Sequence, residues 1–409
     1  MPEIAALAAL AVGPQYTPRP APFQKVTWHS IDLRTGRRGA PVVARSLGNI
    51  SRILNEATET TVETLIPEAD LYNDWEAGTQ PGLVMLVAVD ENDAPIWGGL
   101  VYRRLSSESD WATLSLVTLE AYLDRRYINA DVTFTGADQV SEIAKEVIET
   151  TLAEGIEFTI DAPYSNWRRD RTYLVDDDKT ILSILSELAD IDSGIEFTVD
   201  LAWTDETNTV LDRIIRIRNR VGTAYLGDFG VEADNPPAVF HMPGSVVGFQ
   251  YLEDYSTENG ANAVVAVSSG EGDTRPESLM NIAAGVVYGH GGQWPRFERR
   301  FTPSTSITDQ GTLDDHAYSE LLETWDGLKE LTLEANLDTA PQLHVDWWLG
   351  DDVGVQLTGR RFPERMTSDG GRVAGYLAVL RVIGWEIDLD ARRLKPRLVE
   401  LNEVEVETL

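Results

Sequence analysis

The phrase Gly-Ile-Glu-Phe-Thr occurs twice, at 155–159 and at 194–198, and each copy follows a stretch with helical periodicity. This pairing constrains the centre of the chain more than any other feature. Before the first copy, Asp138 stands as a helix N-cap, Val140, Ile143, Ala144, Val147, Ile148 and Leu152 form an apolar stripe, and Gly155 is the stop. Before the second, Asp178 can cap, Ile181, Leu182, Leu185, Leu188 and Ala189 form the stripe, and Gly194 ends it. In each copy Ile and Phe then alternate with Glu and Thr, as in a strand with one buried face. The echo continues outward: Asp161 matches Asp200, Tyr164 matches Trp203, Ser165 matches Thr204 and Asn166 matches Asp205. A helix–glycine–strand unit used twice is a packing device. Neither copy holds the histidine or carboxylate pair that a duplicated catalytic half would need.

The flanks read as β-structure. "KVTWHSIDLRTGRRGAPVVA", "ILNEATETTVETLIP", "GLVMLVAVD", "APIWGGLVYRRLS" and "WATLSLVTL" predict strands from Phe23 to about Ser109. Strand patterns return in "VLDRIIRIRNRVG", "GSVVGFQYLEDYS" and "NAVVAVSSG", and again in "LTLEANLD", "LGDDVGVQLTG", "YLAVLRVIGWEIDLD" and "RLVELNEVEVE". Between them, 268–311 is a long irregular stretch rich in Gly, Ser, Pro and Thr, and a helix is predicted at 312–326 with Leu313, Ala317, Leu321 and Trp325 on one face. The fold class is α+β, with β-rich ends and an α/β centre.

The 409 residues allow two to four domains. There is no cysteine, which excludes disulfides, thiolate metal sites and cysteine nucleophiles. Sixty-seven Asp and Glu against 34 Lys and Arg leave a net charge of −33, which disfavours a grip on nucleic-acid phosphates. The apolar run Ile4–Val12 is too short to span a bilayer, and Glu3 stands where a signal peptide carries positive charge. Residues 1–22 read as a docking segment with a proline-rich spacer, and no later run is long enough for a membrane span.

Motifs with chemical overtones do not hold up. "LGDFG" at 226–230 resembles a kinase magnesium loop but lacks its companion motifs, and "YGHGGQW" at 288–294 has no nucleophile elbow to serve. Asp176, Asp177 and Asp178 precede a helix, where carboxylates suit the dipole. His344 and Asp346 of "HVDWW" would share one side of a strand, without a third ligand. No catalytic, cofactor-binding or metal-ligating residue is assigned, and no cofactor is expected. With 67 acids, a carboxylate pair suited to glycoside hydrolysis remains open as an alternative.

The order of segments carries a resemblance. "PIWGGLVYRRL" (95–105) and "WATLSLVTLEA" lead to "YLDRRYIN" (122–129). "RTYLVDDDKTILSILSELADIDSGIEFTVDLAWT" (171–204) follows, then "VDWWLGDDVGVQL" (345–357) and "LAVLRVIGWEIDL" (377–389). Over most of residues 23–400 this resembles the tail hub (minor tail protein) family of long-tailed bacteriophages, itself similar to the baseplate hub of contractile-tailed phages. The resemblance implies a non-enzymatic structural protein of the distal tail, assembled in the host cytoplasm. It implies a homotrimer whose subunits each contribute two tube-like β domains, with an α/β domain outside. Mapped here, 23–130 is the first tube-like domain, 131–205 the outer α/β domain, 206–267 with 327–409 the second tube-like domain, and 268–326 a long loop and helix. The implied partners are a distal tail ring protein, a tape measure protein and fibre or tip proteins, with genomic DNA passing without specific binding.

Three expectations follow. Carboxylates should line the channel. Arg125 and Arg126 should sit at subunit or domain contacts, paired with acids and pointing away from it. The stretch 268–311, with Trp294, Phe297 and Phe301 among Arg296, Arg299 and Arg300, should be extended and held mostly by other chains. The alternatives are a virion-associated enzyme degrading cell wall or carbohydrate, and an adhesin for surface sugars. Because the chain stops at Leu409, any lysin activity is expected on another protein.

Overall fold

The computed structural model describes residues 22–46, 48–152, 155–191, 193–226, 238–268, 275–283, 294–303, 307, 309–366, 372–400 and 406–408. It is β-rich, with 46% strand against 15% helix. No helix among the described residues is long and apolar enough to cross a membrane.

The N-terminal sheet has six antiparallel strands in the order Arg38–Val42, Thr27–Asp32, Val84–Val89, Pro95–Ser106, Trp111–Val117, Glu59–Leu65. Its two edges meet. Beyond Val42 the chain runs along the last strand: the Arg45 amide donates to the Glu63 carbonyl at 2.8 Å, and the Leu65 amide donates to Val43 at 3.0 Å. The apolar run 84–89 is buried throughout because both faces are covered. Leu86 and Ala88 join one core, while Met85, Val87 and Val89 join a second.

The C-terminal sheet runs Val239–Met242, Asp352–Leu357, Tyr376–Asp388, Arg393–Val399, Leu328–Asn336, Val246–Asp254. Its first and last strands are consecutive in sequence, joined by residues 243–245, and lie in contact. The strand Asn49–Ile53 leaves the N-terminal sheet's sequence neighbourhood and pairs with Gly384–Asp388 of the C-terminal sheet. Trp97 Nε1 of the N-terminal sheet donates to the Ser51 carbonyl at 2.8 Å. One continuous core follows, with Trp28, Leu86 and Trp97 from one sheet and Val355, Trp385 and Leu398 from the other.

The echo resolves here. Both copies flank a single strand, Leu211–Arg218: Glu196–Trp203 is antiparallel to it and Thr159–Asp161 parallel. Leu211–Arg218 thus belongs to the α/β unit's sheet, beyond the boundary expected at 205. Asp138 caps its helix as expected, its carboxylate accepting from the Val140 and Ser141 amides. The second helix, Ile181–Ala189, begins differently. Thr180 and Ser183 form a reciprocal cap, and Asp178 sits in the left-handed region at φ 50°. Threonine at this spacing satisfies the same orphan amides that an aspartate would.

Two elements depart from the sequence reading. Ala69–Gly78 is a helix inside the stretch read as mostly strand. Among its described side chains the deep anchor is Trp75, whose indole donates to Thr64 Oγ1 at 2.8 Å and lies under Arg104 at 5.2 Å. Leu71 and Tyr72 are exposed, so no apolar stripe announced it. The described parts of 268–311 are also tied to this chain. Asn281–Ala283 and Glu298–Phe301 join Ala263–Ala266 and Val406–Thr408 in a four-stranded sheet under the helix Gln310–Thr324. Val264, Ile282, Leu313, Ala317 and Leu321 form their core.

Candidate functional site

Where the α/β unit meets both sheets, a cleft of about 1130 Å³ opens. The alternation in Leu211–Arg218 builds its floor. Ile215 and Ile217 face the core while Arg216 and Arg218 face out. Arg216 contacts Asp200 at 2.5 Å and Asp161 at 2.8 Å, and Arg218 contacts Asp161 at 2.6 Å. Asp161 and Asp200 are the equivalent residues of the two echo copies, so the shared carboxylate is what the repeat adds to the site. Arg52, from the crossing strand, continues the chain of charges to Asp200 at 2.8 Å and Glu120 at 3.8 Å. It also donates to the Val199 carbonyl at 2.6 Å and to Thr198. Burial alone would raise the Asp200 carboxyl; the Arg52 and Arg216 guanidinium groups outweigh it and hold the pKa below the usual range.

Further ties close the junction. Arg220 contacts Asp352 at 2.5 Å, and Arg381 of the C-terminal sheet pairs with Glu196. Arg38 makes two 2.6 Å contacts to Asp93 while stacked 5.0 Å from the Trp203 ring, whose indole donates to the Asp93 carbonyl at 2.6 Å. Arg52, Arg220 and Arg381 pair with acids across a boundary between units, whereas Arg216, Arg218 and Arg38 pair within their own sheet. The arrangement ties the three units together at the cleft.

The sequence motifs are dispersed. His344 lies in the cleft wall, edge-on to Trp385, and burial followed by the charge of Arg52 lowers its pKa to about 4. The strand expected for "HVDWW" is a turn: the His344 amide donates to the Trp347 carbonyl, and Asp346 accepts from the Gln342 amide at 2.8 Å. The turn forms because Trp347 folds back into the core, so His344 and Asp346 share no strand face. Asp176, Asp177 and Asp178 lie exposed. No group of three His, Cys, Asp or Glu residues suited to a metal occurs among the described residues. "LGDFG" beyond Leu226, and "YGHGGQW" before Trp294, lie outside the described residues. Arg126 ties its segment to the helix Lys145–Thr151, donating to the Thr151 carbonyl at 2.6 Å and to Tyr122 Oη at 3.3 Å. Arg125 is exposed.

No family model and no curated protein matches the chain. Solved structures do. The 43 kDa tail protein of prophage MuSo2 from Shewanella oneidensis superposes with a TM-score of 0.54 at 11% identity, covering 91% of this chain and 98% of that one. The Francisella PdpA-VgrG complex gives 0.51 at 8% identity, covering 98% of this chain and 61% of that one. Prophage tail protein gp18 from Listeria monocytogenes gives 0.49 at 10% identity, covering 92% and 95%. The chain shares the fold of the 43 kDa tail protein of prophage MuSo2.

Proposed function

We propose that the chain is a structural hub of a bacteriophage tail, without catalytic activity. Three copies form a ring at the tail tip that adapts the six-fold tail tube to the central fibre or tip and lets DNA pass. In this reading the two large sheets are tube-like barrels, and the α/β unit decorates the outside. The ring would contact a distal tail ring protein, a tape measure protein and fibre or tip proteins, within the virion after assembly in the host cytoplasm. The observation that carries the reading is the pair of large sheets locked into one core by the strand Asn49–Ile53. Two sheets fixed side by side are what a three-copy ring needs to present six similar wall segments to a six-fold partner. The test is the copy number in isolated tails: native mass spectrometry should give three copies per tail, and six would overturn the proposal. Peptidoglycan zymography of the pure chain should give no clearing band.

A further inference from the structure

The segment between the strands Asp352–Leu357 and Tyr376–Asp388 carries a positive surplus on a chain of net charge −33. Residues 360–377 hold Arg360, Arg361, Arg365 and Arg372 against Glu364 and Asp369. Two short strands, Arg365–Met366 and Arg372–Val373, pair so that Met366 stands opposite Arg372 and Arg365 opposite Val373. Each pair sets an apolar side chain beside a guanidinium. Met366 is 75% exposed, and Val373 and Leu377 are exposed beside it. The ribbon's root is firm. Phe362 packs 5.4 Å from Phe249 and 4.9 Å from Tyr376, and Arg361 stacks 5.3 Å from the Phe362 ring. Arg361 also meets Glu253 at 2.7 Å, Arg372 meets Glu364 at 3.3 Å, and Arg365 donates to the Gly375 carbonyl at 3.2 Å.

Resting on the ring proposed above, we infer that this ribbon is the contact by which one copy docks on an acidic surface of a second copy. Copies this acidic repel one another. With charges screened over about 8 Å at physiological salt, only those near the contact decide whether two copies can touch. A contact between copies therefore has to pass through a locally positive feature, and this ribbon is one. Methionine and arginine are also favoured at interface cores. Nucleic acid fits less well: phosphate contacts need cations alone, whereas here each arginine of the ribbon faces an exposed apolar side chain. A ribbon on one part of a subunit meeting a different part of the next is a heterologous contact, the kind that closes rings.

The test uses the full chain with a photoreactive benzoyl-phenylalanine replacing Met366, and separately the triple variant Arg360→Glu, Arg365→Glu, Arg372→Glu. All four positions are exposed, so circular dichroism and melting temperature should match the parent. Illumination should cross-link residue 366 to an acidic segment of a second copy. The triple variant should self-associate at least roughly tenfold more weakly. Trimers that form equally well in the triple variant, without cross-links from 366, overturn the inference and leave the ring standing. A chain monomeric at every concentration overturns the inference, while the copy number in tails tests the ring separately. Retention on DNA that the triple variant loses, with self-association unchanged, assigns the ribbon to nucleic acid instead.

Discussion

Arg52 and Asp200 lie 2.8 Å apart across a boundary between units: Arg52 belongs to the strand crossing into the C-terminal sheet, and Asp200 to the second echo copy in the α/β unit. Only 12% of the Arg52 side chain is exposed, and Glu120 beside it is 2% exposed. Removing the guanidinium would strand Glu120 and Asp200 against each other. Arg52→Met should therefore destabilise the protein by about 3 kcal/mol, read as a shift of the urea midpoint. The double variant Arg52→Met, Asp200→Asn should recover part of that loss. Strictly additive effects would refute the coupling.

Acid should loosen this junction in two stages. His344 has a folded pKa of about 4 against an ordinary value of 6.5, chiefly through burial. The unfolded chain therefore binds its proton first, so the stability present above about pH 6.5 is lost progressively down to about pH 4. The carboxyls of Asp93, Asp161 and Asp200 are held below their ordinary value, so their contribution persists to lower pH and is lost as those groups protonate. His344→Gln should flatten the melting-temperature profile between pH 4 and 6.5 while leaving the steep fall below pH 4. A profile identical to the parent's would contradict this.

Asp138 serves two segments at once. Its carboxylate accepts from the Ser141 amide at 2.8 Å and hydroxyl at 2.9 Å, and from the Ser165 amide at 2.9 Å and hydroxyl at 2.8 Å. Asp138→Ala should cost about 3 kcal/mol, more than an ordinary cap, because four half-buried donors in two segments lose their acceptor at once. Hydrogen exchange should quicken in both 139–145 and 163–167. Faster exchange in the helix alone would mean that the second role is wrong.

Gly222 and Gly350 meet backbone to backbone. A Cβ on Gly222 would stand 2.1 Å from the Gly350 carbonyl carbon, and both residues have positive φ, 83° and 89°. Gly222→Ala should strain the exit from the α/β unit by several kcal/mol. Limited proteolysis should then cut near 219–226 much sooner than in the parent. Unchanged cleavage would show that the backbones can separate freely.

In the proposed ring, the channel wall should be net acidic, repelling DNA within about a Debye length. Arg126 is already engaged within this chain by Thr151 and Tyr122, and in the proposed ring it should point away from the wall. An image of the assembled ring with Arg125 and Arg126 lining the channel would overturn this placement. A lysine introduced on the wall should leave assembly intact and slow DNA ejection.

Local rules made some parts of the molecule legible in the sequence. The alternation in 211–218, the buried run 84–89, the stripe on 310–324 and the cap at Asp138 each depend on a few neighbours along the chain, and each appears where its pattern lies. The helix at 69–78 is hidden because, among its described side chains, Trp75 is the buried one and no periodic apolar face accompanies it. The partners of charged residues were not legible. Arg52 meets Asp200, and Arg381 meets Glu196, across separations that no periodicity encodes. The echo itself divides along the same line. Its alternation matches the strand Glu196–Trp203 in the second copy, whereas in the first only Thr159–Asp161 forms a strand and residues 156–158 do not. That both would lie against one strand, bringing Asp161 and Asp200 onto Arg216, was decided by the packing of distant segments, where burial of shared apolar faces selects the neighbours.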